Sequence, residues 1–300
     1  MTELYGGVET GGTWCVCALG AGPGELVDRE QFPTTSPSET LEQIIEFFAS
    51  RPRAKAIGVG AFGPVVVARD SPDWGQVTTT PKPNWQHTPV ATVIEDRLGV
   101  PVSFDTDVGA AALGEQRWGA GRGLASVCYL TIGTGLGAGL VIDGHPWHGL
   151  VHPEVGHLRI PHDRDRDPFA GSCPVHGDCW EGLASGEAMQ RRWGIAPEEL
   201  EDDHRAWALE AEYVALGIFS IVSVVSPHRV IVGGGLAQRA QLLETVRARL
   251  PELNAGYLET PLLGQEIDSY IVAPVLGDDA GVLGAIALAQ MENERASGAG

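Results

Sequence analysis

Residues 171–182 read GSCPVHGDCWEG, with Cys173, His176 and Cys179 spaced Cys-x2-His-x2-Cys. That spacing allows a disulfide loop, a metal site, or two buried thiols beside a surface histidine. The disulfide is the weakest of the three. The chain has five cysteines, and its opening, MTELYGGVETGG, shows neither the basic nor the apolar region of a secretory leader. Both observations point to the reducing cytoplasm. Two thiols and an imidazole in one short loop favour Zn²⁺ in a closed tetrahedral site with a structural role. The stretch HPEVGHLRI offers His152 or His157 as the fourth ligand.

A second set of residues could move a proton. FDTDVGAAALGE places Asp105 and Asp107 between a strand and a helix. Aspartate at a helix start usually caps it or answers its dipole. A carboxylate there is also well held for general-base work, exposed at the strand's end and restrained by the helix behind it. Three glycine turns compete as phosphate cradles: ETGGT at 9–13, GTGLGAG at 133–139 and GGG at 233–235. No Gly-x-x-x-x-Gly-Lys-Ser/Thr occurs. GTGLGA matches the dinucleotide fingerprint, but GLVIDG continues as strand where that fingerprint needs a helix. Taken together, two Gly/Thr hairpins could grip a triphosphate with backbone amides and hydroxyls. The triple glycine would let a base or ribose lie against the backbone.

The elements that must carry these residues alternate between strand and helix. LYGGVE, TGGT and WCVCALG read as a hairpin, and SETLEQIIEFFASR as a helix capped by Ser38, with Leu41, Ile44, Ile45 and Phe48 on one face. AIGVGAF is a short strand, and DSPDWGQVTTTPKPNWQHTP a long polar loop of the kind that is often functional. PVATVIEDRLG, VPVSF and VGAAALGEQRWG read as helix, strand and helix. SVCYLTIGTGLGAGLVIDG then repeats the strand, glycine turn, strand pattern of the start, roughly 120 residues on, as a duplicated domain would. Helices SGEAMQRRWG and DHRAWALEAEYVALGIFSIVSVVS follow, then strand RVIVGGG, helix AQRAQLLETVRARL, strand YIVAP and helix DAGVLGAIALAQ. The tail ERASGAG reads as disordered.

Composition narrows the class of protein. Three hundred residues are enough for one large domain or two ordinary ones. The net charge of −19 opposes binding to nucleic acid or to anionic membrane, although amides and a bound cation can still hold a nucleotide. The longest apolar run, ASVCYLTIGTGLGAGLVI, is broken by glycine and threonine and makes a poor membrane span. Forty glycines fall in clusters, as they do where backbone approaches a ligand.

In this order the segments resemble the ROK family of sugar kinases, and within it the bacterial fructokinase branch. ETGGT is similar to the family's first phosphate loop, FDTDVGAAALGE to its catalytic segment and GTGLGAG to its second phosphate loop. PEVGH and CWEGLASG resemble its sugar- and zinc-associated motifs, VIVGGG its nucleotide turn and DAGVLGAIALA its closing helix. The resemblance implies an α/β, actin-like ATPase (ribonuclease H-like) fold of two domains with a cleft. A smaller domain would span 1–116, with helix 278–290 packing back on it. A larger domain, 117–277, would carry the zinc loop, and 291–300 would be a disordered tail.

The resemblance also implies roles. Asp107 would be the general base, taking a proton from the 6-hydroxyl of a hexose as it attacks the γ-phosphate of ATP. Glu9 would help hold Mg²⁺ through water. Glu154, His157, Glu181 and Thr106 would bind the sugar. Gly11, Gly12, Thr13, Gly133, Thr134, Gly135, Gly233, Gly234 and Gly235 would bind ATP. His157, Cys173, His176 and Cys179 would hold structural Zn²⁺. The Cys-Pro-x-His-Gly-x-Cys form and TPKPNW favour D-fructose over glucose or mannose. A cytoplasmic homodimer is expected, without nucleic acid or membrane as partner. Three positions depart from the family pattern: Trp14 for lysine after GGT, Gly109 for asparagine, and Thr106 for the asparagine of glucokinases. A non-catalytic sugar sensor is the competing class. Its DNA-binding relatives carry a helix-turn-helix before the first strand, which here begins within about five residues of Met1, and a dead sensor would most simply lack Asp107. An actin-like ATPase without a sugar site would leave PEVGH and CWEG unexplained.

Overall fold

The computed structural model describes residues 3–298. The chain falls into two units. One comprises residues up to Gly123, Gly139–Pro153 and everything from Val275; the other comprises Leu124–Ala138 and Glu154–Pro274. The chain crosses between them at Gly123/Leu124, inside a strand at Ala138/Gly139, at Pro153/Glu154 and at Pro274/Val275.

In the first unit, β1 (Tyr5–Thr10), β2 (Trp14–Gly20), β3 (Leu26–Pro33), β4 (Ile57–Ala61) and β7 (Val102–Thr106) form a sheet of order β3-β2-β1-β4-β7. β1 runs antiparallel to β2 and parallel to β4, which runs parallel to β7. A small ribbon of β5 (Gln76–Val77) and β6 (Thr88–Pro89) lies inside the predicted long loop. Alternation along the strands sorts their side chains between two faces. Val8, Cys15, Cys17, Leu19, Ile57 and Val59 pack with Phe47 and Phe48 of α1 (Pro37–Ala49) and Ile94 of α2 (Val90–Leu98). On the opposite face, Tyr5, Val16 and Ala18 pack with Val282, Leu283 and Ile286 of α9 (Ala280–Gly298). Helix α3 (Asp107–Trp118) packs against α9 with almost no space between them: a Cβ at Gly284 would lie 1.7 Å from Ala110 O. The same holds beneath α9, where a Cβ at Gly58 would lie 1.8 Å from Ala285 O.

Two details differ from the sequence expectation. The cap of α1 is Ser36, whose Oγ accepts from Glu39 N, because Pro37 fits the first helical position and starts the helix before Ser38. The tail expected to be disordered from 291 is helical as far as Gly298. Its residues suit a helix, Arg295 pairs with Glu292, and Asn293 Nδ2 donates to Tyr5 Oη at 3.2 Å. Residues 299–300 lie outside the described residues.

A second five-stranded sheet has the order β10-β9-β8-β11-β12. Its strands are β8 (Ser126–Ile132), β9 (Leu136–Ile142), β10 (His145–Pro146), β11 (Val230–Gly233) and β12 (Ile271–Val272). The helices of the second unit are α4 (Trp180–Ala184), α5 (Gly186–Trp193), α6 (Ala206–Val224), α7 (Ala240–Asn254) and α8 (Ile267–Tyr270). Parallel pairing of β8, β11 and β12 gives nearly continuous apolar strands, as buried parallel strands require. Among the described residues one helix, α6, is long and apolar enough to cross a membrane. It packs against α4 and α7, and the ring of Trp180 fills the space that a Cβ at Gly217 would take.

Candidate active site and metal centre

In the first unit the strand ends deliver two carboxylates. Asp107 is the first residue of α3, and Thr106 is its cap, with Oγ1 accepting from Gly109 N at 2.9 Å. Asp107 Oδ1 accepts from Val108 N at 2.8 Å. Protein crowds this carboxyl on most sides. Burial therefore raises its pKa to about 6, with the charge of Asp105 adding to the rise and the N–H donors of Val108 and Asp107 opposing it. Glu9, at the end of β1, is pushed up to about 7, first by burial and then by the charges of Asp107 and Asp279, against Arg29. Room for its carboxylate depends on Gly281 of α9, where a Cβ would lie 2.2 Å from Glu9 Cδ. An enclosed carboxylate beside a second acid is a hard oxygen donor with excess negative charge, which fits Mg²⁺.

Asp105 is buried and points elsewhere. Its Oδ1 accepts from Thr106 N at 2.7 Å, and its Oδ2 lies 2.9 Å from His148 Nε2, which raises the His148 pKa above the ordinary histidine value. The Gly109 departure belongs to this arrangement. A Cβ there would lie 2.3 Å from Asp105 Oδ1, so the buried aspartate leaves space for glycine alone. Sequence reasoning passed over His148, since nothing local to Asp105 signals a histidine so far along the chain.

The glycine turns differ in why they are glycine. Around Gly11–Thr13, Gly11 N donates to Trp14 O at 2.8 Å, Thr34 Oγ1 donates to Gly11 O at 2.8 Å, and Thr34 N donates to Thr13 O at 2.9 Å. A Cβ at Gly12, Gly133 or Gly235 would meet no heavy atom within 4 Å among the described residues, and none of the three has positive φ. Neither packing nor backbone conformation calls for glycine at these positions, and the open space fits close approach of a phosphate or nucleotide. Gly233 and Gly234 have structural reasons instead: a Cβ would lie 2.4 Å from Tyr129 Oη at the first, and φ is 91° at the second.

In the second unit, Gly133–Gly135 is braced by Gly186 N donating to Gly133 O at 2.7 Å and Glu187 N donating to Thr134 O at 3.2 Å. Glu181 reaches this turn, its Oε2 accepting from Leu136 N at 3.2 Å. Glu181 is in the first turn of α4, two residues after Cys179, which occupies the cap position. The cysteine loop and the second glycine turn are therefore linked through one short helix.

His157, Cys173, His176 and Cys179 converge, with their ligand atoms all within 4.8 Å of one another. His157 Nδ1 lies 3.4 Å from Cys179 Sγ and 3.9 Å from Cys173 Sγ, and His176 Nδ1 lies 3.9 Å from Cys173 Sγ. A tetrahedron with ordinary Zn–N and Zn–S bonds has edges of roughly 3.3–3.8 Å, so the set fits zinc. The loop closes on itself through Cys173 N to Gly177 O at 3.2 Å and Gly177 N to Cys173 O at 2.9 Å, with Gly177 at φ 66°. His152 is not the fourth member. It lies in the first unit, where its Nε2 accepts from Val65 N at 3.0 Å. His157 turns its other nitrogen, Nε2, toward Glu154 at 4.0 Å.

A fructokinase of Zymomonas mobilis is 43% identical over 295 residues, covering 96% of each chain. The crystal structure of a ROK hexokinase from Thermus thermophilus superposes with a TM-score of 0.80 at 27% identity, covering 98% of this chain and 100% of that one. A ROK family glucokinase from Streptomyces griseus, solved with glucose and AMPPNP, gives 0.77 at 27% identity over 96% and 100%. The fold is that of the actin-like ATPases. The ROK family profile matches residues 5–292, and the chain belongs to that family.

Proposed function

We infer that this protein phosphorylates a hexose with ATP, D-fructose to fructose 6-phosphate, as a cytoplasmic homodimer. The observation that carries the reading is 43% identity to a fructokinase along nearly the whole chain, against 27% to a glucokinase. In this reading Asp107 takes the proton of the sugar's 6-hydroxyl as that oxygen attacks the γ-phosphorus. The N-terminal turn of α3 holds the carboxylate in place, and its pKa near 6 leaves it ionised yet basic at neutral pH. Phosphoryl transfer is mainly positioning and charge neutralisation, and Mg²⁺ bound near Glu9 would supply the latter. Backbone amides at Gly11–Thr13, Gly133–Gly135 and Gly233–Gly235 would hold ATP. Thr106, Glu154, His157 and Glu181 would hold the sugar. Zinc on His157, Cys173, His176 and Cys179 would fix the loop from which α4 starts. A non-catalytic sensor would need no base, whereas Asp107 is present and its carboxylate is held by Val108 N.

The test is release of ADP with ATP and Mg²⁺ across fructose, mannose, glucose and N-acetylated hexosamines. Fructose should lead. Turnover led by glucose keeps the mechanism and discards the sugar, and no turnover with any of them overturns the kinase.

A further inference from the structure

The segment TPKPNW lies within the long loop before α2, and the fold gives it a definite place. Trp85 is fully buried, its Nε1–H donates to Thr35 O at 2.9 Å, and its ring stands edge-on to Phe62 with centroids 5.1 Å apart. Pinned there, the loop delivers Lys82 to the first glycine turn. Lys82 Nζ donates to Gly12 O and, at 3.2 Å, to Thr34 O, the same threonine whose own hydroxyl and amide bind Gly11 O and Thr13 O.

An ammonium has three donors, and these contacts use two of them. No carboxylate pairs with Lys82 among the described residues. Arg29, the cation whose charge bears on Glu9, is already paired with Asp279 at 2.9 Å. Trp14, which follows the turn, brings no charge. The two acids of the unit's active-site end, Glu9 and Asp107, oppose any anion brought near them. The turn therefore holds a half-buried cation with one donor to spare, beside the open space at Gly12.

We propose that Lys82 is a phosphate-binding residue, its remaining donor directed to the distal phosphates of a nucleoside triphosphate at the Gly11–Thr13 turn. The proposal rests on the kinase reading. The positive charge is set by a second loop rather than by the turn itself, and Trp85 fixes where it stands.

Lys82→Gln and Lys82→Arg, with thermal midpoints recorded for each, test it by calorimetric binding of ATP, ADP and AMP and by steady-state kinetics. The Gln variant should bind ATP about tenfold more weakly, ADP less so, and AMP within about twofold of wild type. KM for fructose should hold, and the Arg variant should recover most of the loss. Equal weakening for all three nucleotides, or none, overturns the proposal and leaves Lys82 as a loop staple. If the Gln variant does not fold, acetic anhydride labelling of the wild type decides: Lys82 should be protected by ATP and not by AMP, and equal labelling overturns the idea. Wild type that turns over no hexose overturns the kinase reading, and Lys82's role falls with it. An active wild type with an indifferent Gln variant overturns Lys82's role alone.

Discussion

At the scale of single residues, Asp107 combines two opposed influences. Burial raises its pKa to about 6, while the amides of α3 keep it from rising further. The carboxylate accepts a proton only while ionised, so kcat/KM should be level above that value. Below about pH 6 it should fall roughly tenfold per unit, read from the pH profile with fructose. Asp107→Asn should lower kcat by about 10²–10⁴-fold, with a thermal midpoint at neutral pH no lower than wild type's, because the amide removes a charge that burial disfavours. The sequence named Asp107 because its position between a strand and a helix is a local signal, and Glu9 only through the resemblance of ETGGT to the family's first phosphate loop. It could not show why Gly109 is glycine, because that reason is a buried aspartate tied to His148 on a distant loop.

At the scale of elements, the cysteine loop and α4 behave as one part. The spacing of Cys173, His176 and Cys179 was legible within seven residues, whereas the choice of His157 over His152 depended on where each neighbouring strand and turn ends. Chelation should release about one zinc per chain, lower the thermal midpoint, and weaken fructose binding more than ATP binding, because Glu181 starts from the same loop. Differential scanning fluorimetry with a metal assay checks this. Helix α6 carries a different burden. Glu210 is buried with neither oxygen hydrogen-bonded among the described residues, and burial lifts its pKa from 4.5 to about 8. The unfolded chain releases that proton near 4.5 and the folded protein near 8, so stability drains away as pH rises through this window. Glu210→Gln removes the difference. Its advantage in thermal midpoint over wild type should grow from about pH 5 to about pH 8 and then level off.

For the whole molecule, the order of strands and helices was readable because each strand is a short apolar run punctuated by glycine and each helix has its own period. The partition of the chain was less readable. The first unit reclaims Gly139–Pro153, where a Cβ at Gly139 would lie 2.1 Å from Val108 O, and such close backbone approach leaves no periodic trace. Closure of that unit by α9 has the same character. Gly284→Ala should cost about 2–4 kcal/mol in denaturant unfolding, because the added methyl meets the Ala110 carbonyl rather than a flexible side chain.

The packing of α9 also orders events in time. Its partners β1, β4 and α3 leave the ribosome long before it does, and all of Leu124–Pro274 is synthesised in between. At synthesis rates of about 5–20 residues per second the delay is on the order of 10 s. Through that interval the nascent sheet exposes the apolar face that Val282, Leu283 and Ile286 will cover. This is the stage at which a chaperone has most to shield.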